Sequence, residues 1–253
     1  MITENTIVKV TLGGGEDPME KLTRLIIERD ELLFHVVPEL KAEYMLKVGA
    51  LEHLVWKKRL ELSMAKRRLS LIRSYLNRQE EPDSESIEET IRFEYENLLE
   101  DLKERNEEIK KLVGLISAEK LSQEDTEEIR SLYTKIVKKL HPDLNPDALI
   151  ADIALFQKAV EAYKRADIFM IRAIYSSLDF DEPCRVYAES VKAKIAELEQ
   201  QIEIIRSSYP FDKIPFMQDR DAVRQRNAEL NEMLDSITED LELVNRTIAE
   251  VTA

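Results

Sequence analysis

The chain has 253 residues and a formal charge of −14; 35% of its residues are charged, while glycine occurs 5 times and proline 8. So little turn chemistry excludes a many-stranded sheet and predicts an all-α fold. The acidic balance argues against a nucleic-acid partner, because phosphate binding runs on clustered Lys and Arg that release counterions. Cys184 is the single cysteine, which rules out an internal disulfide and a cysteine-rich zinc cluster. No apolar run approaches the ~18 residues of a membrane-spanning helix, and no secretory h-region opens the chain, so a cytoplasmic protein without a membrane partner is expected.

Residues 1–16 carry the stretch IVKVTL and then Gly13-Gly14-Gly15. No Gly-Lys-Ser/Thr follows these glycines, so they read as a flexible arm and not as a phosphate loop. Residues 17–117 read as N-terminal helices. Asp17-Pro18-Met19-Glu20 has the form of a helix start, with a capping Asp, a proline at the first helical position and a Glu three residues after the cap. This helix should run to about Val37, where Pro38 breaks or kinks it. From 39 to 79 a heptad stripe follows, through Val48, Leu51, Val55, Leu62, Ala65, Leu69, Ile72 and Leu76, with Lys58 in one seam position. After a turn-like linker the alternation returns over 86–117, at Ile87, Ile91, Tyr95, Leu98, Leu102, Ile109, Leu112 and Ile116, with Arg105 in the missing position. Folding the chain back at the linker pairs Leu76 with Ile87, Leu69 with Tyr95 and Val48 with Ile116. The predicted element is a long antiparallel hairpin, 39–79 with 86–117, whose one polar layer joins Lys58 and Arg105 to acids such as Glu61.

Residues 118–180 form a separate module. Ser122 and Asp125 can cap a helix through EEIRSLYTKIVKKL that must stop at His141, because Pro142 disfavours helical backbone in the residue before it. Asn145-Pro146 then offers a cap and first-turn proline for a helix of about 146–178. Its predicted buried set is Leu149, Ile153, Phe156, Val160, Tyr163, Phe169, Met170 and Ile174. Residues 181–253 repeat the hairpin device. The stripe Val191, Ile195, Leu198, Ile202, Ile205 folds back on Val223, Leu230, Leu234 and Ile237, setting Leu198 against Leu230 and Ile195 against Leu234. Cys184 and Ala188 extend that seam.

Within the module, Glu128, Ile129, Arg130, Tyr133, Lys135, Lys138 and Lys139 lead into His141-Pro142-Asp143 and Asn145-Pro146, and Phe156 precedes the pair Ala162-Tyr163. At this spacing the segment, over about residues 122–165, resembles the J-domain of DnaJ-type co-chaperones. The resemblance implies docking on a DnaK-type heat-shock chaperone whose ATPase the module stimulates. It also implies partner-binding roles for His141, Pro142, Asp143, Lys135, Lys138, Lys139, Arg130 and Asn145, and a module core of Tyr133, Ile136, Leu140, Phe156 and Tyr163. The family's first helix, with its Tyr and Leu-Gly pair, has no counterpart directly before residue 122; the helix end at Ile109 to Ile116 is the available substitute. No Gly/Phe-rich segment and no repeated Cys-X-X-Gly-X-Gly motif follows.

Read on their own, Lys135, Lys138 and Lys139 lie three and four apart near a helix C-terminus, where the dipole favours cations. Such a patch on an acidic protein can steer an acidic partner, or it is simply a solvated helix face. His141 and Asp143 could form an acid/base pair, but no nucleophile, metal cluster or phosphate loop accompanies them, so no catalysis, cofactor or metal is expected. His35 and His53 read as packing or surface residues, since Glu52-His53 lacks the spacing of a bundle metal site. The expected function is a co-chaperone whose hairpins bind an unknown client or a second copy as a homodimer. The other reading is a coiled-coil scaffold in which the J-like helix pair activates nothing.

Overall fold

The computed structural model describes residues 17–117, 121–179 and 188–252, and every regular element among them is helical. The expected N-terminal arm, Cys184 and the side chains of Ile116 and Ala188 lie outside the described residues. The chain forms two compact units, one from residues 1–38 and 118–212, the other from 39–117 and 213–253. The predicted segments 17–117 and 181–253 therefore each contribute to both.

The first unit opens with α1, Pro18–Glu31, started as predicted: the Asp17 carboxylate accepts from the Met19 N–H at 3.0 Å. Pro38 does not end the helical backbone. A π-turn over Leu32–Val36, in which the Val37 N–H reaches back to the Leu32 carbonyl, runs directly into α2, Val37–Tyr44. Proline lacks an N–H and its ring crowds the carbonyl of the preceding turn; one extra residue in that turn makes room for it. Next come α6, Gln123–Leu140, capped by the Ser122 hydroxyl on the Asp125 N–H, then α7, Ile150–Lys164, α8, Ile168–Ser176, and α9, Ala188–Ser207. Tyr133, Ile136 and Val137 of α6, Ala159 of α7, Ile171 of α8 and Leu22 and Ile26 of α1 are wholly buried in one core, which Val191, Leu198 and Ile202 of α9 close. The ion pairs Lys21–Glu199 (2.7 Å) and Glu28–Arg206 (2.8 Å) set α9 alongside α1, running in the same direction.

The helix predicted over 146–178 is two helices. Ala166 takes a left-handed backbone (φ 54°). Its N–H bonds the Tyr163 carbonyl and the Asp167 N–H bonds the Ala162 carbonyl, both at 2.9 Å, which closes the end of α7. Asp167 then caps α8 by accepting the Met170 N–H at 3.0 Å. No Gly or Pro marks this break. The new start rotates α8, so Ile171 and Ile174 are buried, whereas Phe169 and Met170, expected inside, are 77% and 47% exposed.

The second unit is built on α3, Ala50–Asn77, with α4, Ser84–Glu94, α5, Glu96–Ser117, α10, Ile214–Gln218, and α11, Arg220–Thr252. Arg68 pairs with Glu88 (2.5 Å), Arg67 with Glu94 (2.6 Å), and Ser63 with the Tyr95 hydroxyl (2.8 Å). Further along, His53 pairs with Asn106 (2.8 Å). Rising numbers on α3 thus meet falling numbers on α4 and α5. The register departs from the sequence expectation by about one helical turn: Tyr95 reaches Ser63 where Leu69 was its assigned neighbour. Lys58 pairs with Glu61 at 2.7 Å, one of the acids expected to meet it.

The main departure concerns α11. It lies along α3 in the same direction, through Glu52–Arg226 (2.9 Å), Arg59–Met233 (3.3 Å) and Lys66–Asp240 (3.6 Å). Val48, Leu51 and Val55 pack with Val223, Leu230, Leu234 and Ile237. Ile195 and Leu198 belong instead to the core of the first unit. The pairs assigned to a C-terminal hairpin are therefore buried in different cores. A heptad stripe specifies which face of a helix is buried and says nothing about the helix that buries it.

Candidate functional site

The end of α6 follows from the proline. His141 is extended (φ −65°, ψ 128°), as a residue before proline prefers, and its N–H still bonds the Val137 carbonyl. The His141 carbonyl accepts from the N–H groups of Leu144 (3.0 Å) and Asn145 (2.9 Å), and the Asn145 side chain donates to the Lys138 and His141 carbonyls at 3.3 Å each. These bonds satisfy the Val137 and Lys138 carbonyls in the last turn of the helix.

Sequence reasoning put His141 and Asp143 together at an exposed tip. His141 is instead 7% exposed, with its ring edge-on to Phe156 at 5.0 Å, and Nδ1 accepts the Asp143 N–H at 3.0 Å. A ring nitrogen used as an acceptor fixes the tautomer, with the proton on Nε2. Burial holds this imidazole below the ordinary histidine range, against the opposing pull of the Asp143 carboxylate. Leu144 is inserted beneath the turn at 1% exposure. Pro142 and Asp143 are half-buried, and the Asp143 carboxylate has Lys194 of α9 at 3.7 Å. The histidine therefore braces the turn from inside, and Asp143 is the side of the motif that water reaches.

Beyond the turn, α7 starts four residues later than expected. The Asn145 carbonyl accepts from the Ala148 N–H at 3.0 Å, which makes another turn, and Asp152 accepts from the Leu149 N–H at 3.1 Å. Leu149, assigned to the core, is 70% exposed.

The basic residues do not share one open face. Arg130, Lys135 and Lys138 are exposed and Lys139 is half-buried. The Lys135 ammonium lies 5.3 Å from the centre of the Tyr175 ring on α8, a cation–π distance. Arg130 and Lys138 point the other way, with Thr134 between them, and line a groove with Glu20 and Glu28 of α1 and Arg206 of α9.

The expected module core is buried, all five residues of it: Tyr133, Ile136, Leu140, Phe156 and Tyr163. Tyr133 and Tyr163 stack at 4.0 Å with planes 4° apart. Together with the His141–Phe156 contact, this shows α6 and α7 running in opposite directions. Both tyrosines end on acids of α1 that the sequence reading missed. Tyr133 donates to the buried Asp30 at 2.8 Å, the Arg29 guanidinium donates to the same carboxylate at 2.6 Å, and Tyr163 donates to Glu31. Burial and these carboxylates push both phenols far above the ordinary tyrosine range. The available signal was periodicity: Asp30 continues the Leu22–Ile26 stripe four residues on, a charge on a face that is otherwise apolar. The helix packed on the α6–α7 pair is thus α1, with α9 beside it; Ile109 belongs to the second unit.

Among the described residues no group of His, Cys, Asp and Glu is placed to hold a metal ion, and no helix is long and apolar enough to cross a membrane. The chain matches no protein-family model, no curated protein and no solved structure.

Proposed function

We propose that residues 118–180, within the first unit, are a J-domain-like module that docks on a DnaK-type heat-shock chaperone and stimulates its ATPase, and that the antiparallel packing of α4 and α5 on α3 serves a client, a partner or a second copy. The observation that carries the reading is the His-Pro-Asp turn: it joins a helix with basic residues in its last turn to an oppositely directed helix, and its backbone is fixed by bonds from His141, Asn145 and Leu144. A fixed turn between an exposed cationic helix and a water-facing Asp143 suits a partner with acidic groups, where complementary charge speeds encounter and sets register. The protein itself does no chemistry in this reading.

The scaffold reading keeps one specific support. Tyr175 covers Lys135 and Lys194 approaches Asp143, so charged groups among the implied contact residues already have partners within the chain. Single-turnover ATP hydrolysis by the host's DnaK-type chaperone separates the two. Stimulation by the unaltered protein and its loss in His141→Gln supports the co-chaperone. Absence of stimulation leaves the scaffold, and equal stimulation by both proteins removes the role given to the turn.

A further inference from the structure

Ile150 is 88% exposed, more than any other large apolar side chain among the described residues, and its neighbour Leu149 is 70% exposed. They lie where α7 begins, at the same end of the α6–α7 pair as the lysines that end α6. Leu149 occupies the N-cap position of α7. Ser, Thr, Asp or Asn normally stands there because the side chain can accept a backbone N–H. Leucine can accept nothing, and this helix start relies on Asp152 reaching back to the Leu149 N–H. Here, then, an apolar side chain faces water in a position where a polar one would hold the helix better. Local rules are broken in this way chiefly where a surface serves a partner.

The intervening turn is braced: His141 and Leu144 are buried, Asn145 bonds the Lys138 carbonyl, and Ala148 bonds the Asn145 carbonyl. The aliphatic pair and the basic end of α6 are accordingly held at a fixed separation, so a partner that meets one meets the other without ordering the chain first. We infer that the surface offered to the chaperone continues past the turn onto Leu149 and Ile150, and that the partner surface has an apolar seat for them next to the carboxylates that face Lys138 and Lys139. The inference rests on the co-chaperone reading above.

The test is the double variant Leu149→Ser/Ile150→Ser, assayed beside the unaltered protein and His141→Gln. Serine at position 149 is a better N-cap, so the denaturation midpoint should hold or rise, which separates lost binding from lost folding. The concentration giving half-maximal stimulation of the chaperone ATPase should increase at least tenfold. An unchanged value overturns the inference and leaves the co-chaperone reading standing. If the unaltered protein does not stimulate at all, both fall together. If chaperone affinity is unchanged but the variant alters sedimentation of the protein alone, the pair is a contact between copies and the inference is wrong.

Discussion

Tyr133→Phe isolates the buried contact between α6 and α1. The substitution keeps the ring, its stacking on Tyr163 at 4.0 Å and nearly all its volume, and removes the one hydroxyl that donates to Asp30. Asp30 is 2% exposed, so water cannot replace the lost donor, although Arg29 still holds the carboxylate. A hydrogen bond to a charged group contributes about 1.5–3 kcal/mol, and leaving part of a buried acceptor unsatisfied works in the same direction. The variant should therefore lose about 2 kcal/mol, and amides of α6 should exchange roughly 30-fold faster when they open with this core. Hydrogen exchange on α6 reads that directly, with emission of Trp56, the single tryptophan, as an internal control on the second unit. Tyr163→Phe is the comparison, and should lose less because Glu31 is only half-buried. Unchanged α6 exchange in Tyr133→Phe, or equal losses in both variants, would refute the argument that burial of Asp30 sets the magnitude.

Ala166→Gly should stabilise the first unit by about 1 kcal/mol in urea denaturation, since glycine adopts the left-handed backbone at this α7–α8 joint without the strain alanine carries. The pH dependence follows from His141, whose folded-state pKa is lowered by burial while Asp143 and Asp30 favour the proton and Arg29 and Lys194 oppose it. The unfolded histidine, near its ordinary 6.5, takes up a proton first, so stability contributed by the neutral ring is complete above about pH 6.5 and is lost as pH falls below it. An NMR titration should find the His141 ring titrating below the ordinary histidine value, and His141→Gln should flatten the acid-side stability slope. Leu198→Ala should weaken the core shared with α1 and Leu230→Ala the core shared with α3, each by about 2–5 kcal/mol. Exchange protection resolved by helix distinguishes the two, and loss of protection in both α9 and α11 from either substitution would favour the hairpin expected from sequence.

Local chemistry was legible and long-range partnership was not. Asp17-Pro18 and Ser122 start helices where their side chains can accept backbone bonds, and Pro142 ends one, because each acts within a few residues of itself. The end of α7 was hidden because Ala166 adopts a conformation that glycine usually marks, with Asp167 as the only local signal. Stripes such as Ile195–Leu198 and Leu230–Leu234 announced buried faces correctly, yet α1 and α3 took them, through pairs such as Lys21–Glu199 and Glu52–Arg226 that periodicity cannot foresee. At the site, the motif was readable letter by letter, but the inward turn of His141 depends on Phe156 and on the Asp143 N–H, which only the folded turn brings to it.

Because each unit joins an early stretch of chain to a late one, the order of synthesis matters to this protein. Helices α6, α7 and α8 are contiguous and can associate as soon as they leave the ribosome, bringing the His-Pro-Asp turn with them. The parts of α1 and α3 that α9 and α11 cover must wait for those helices, so both hold greasy surface open until late in translation. A nascent chain of this design is itself a candidate for chaperone protection until α11 emerges.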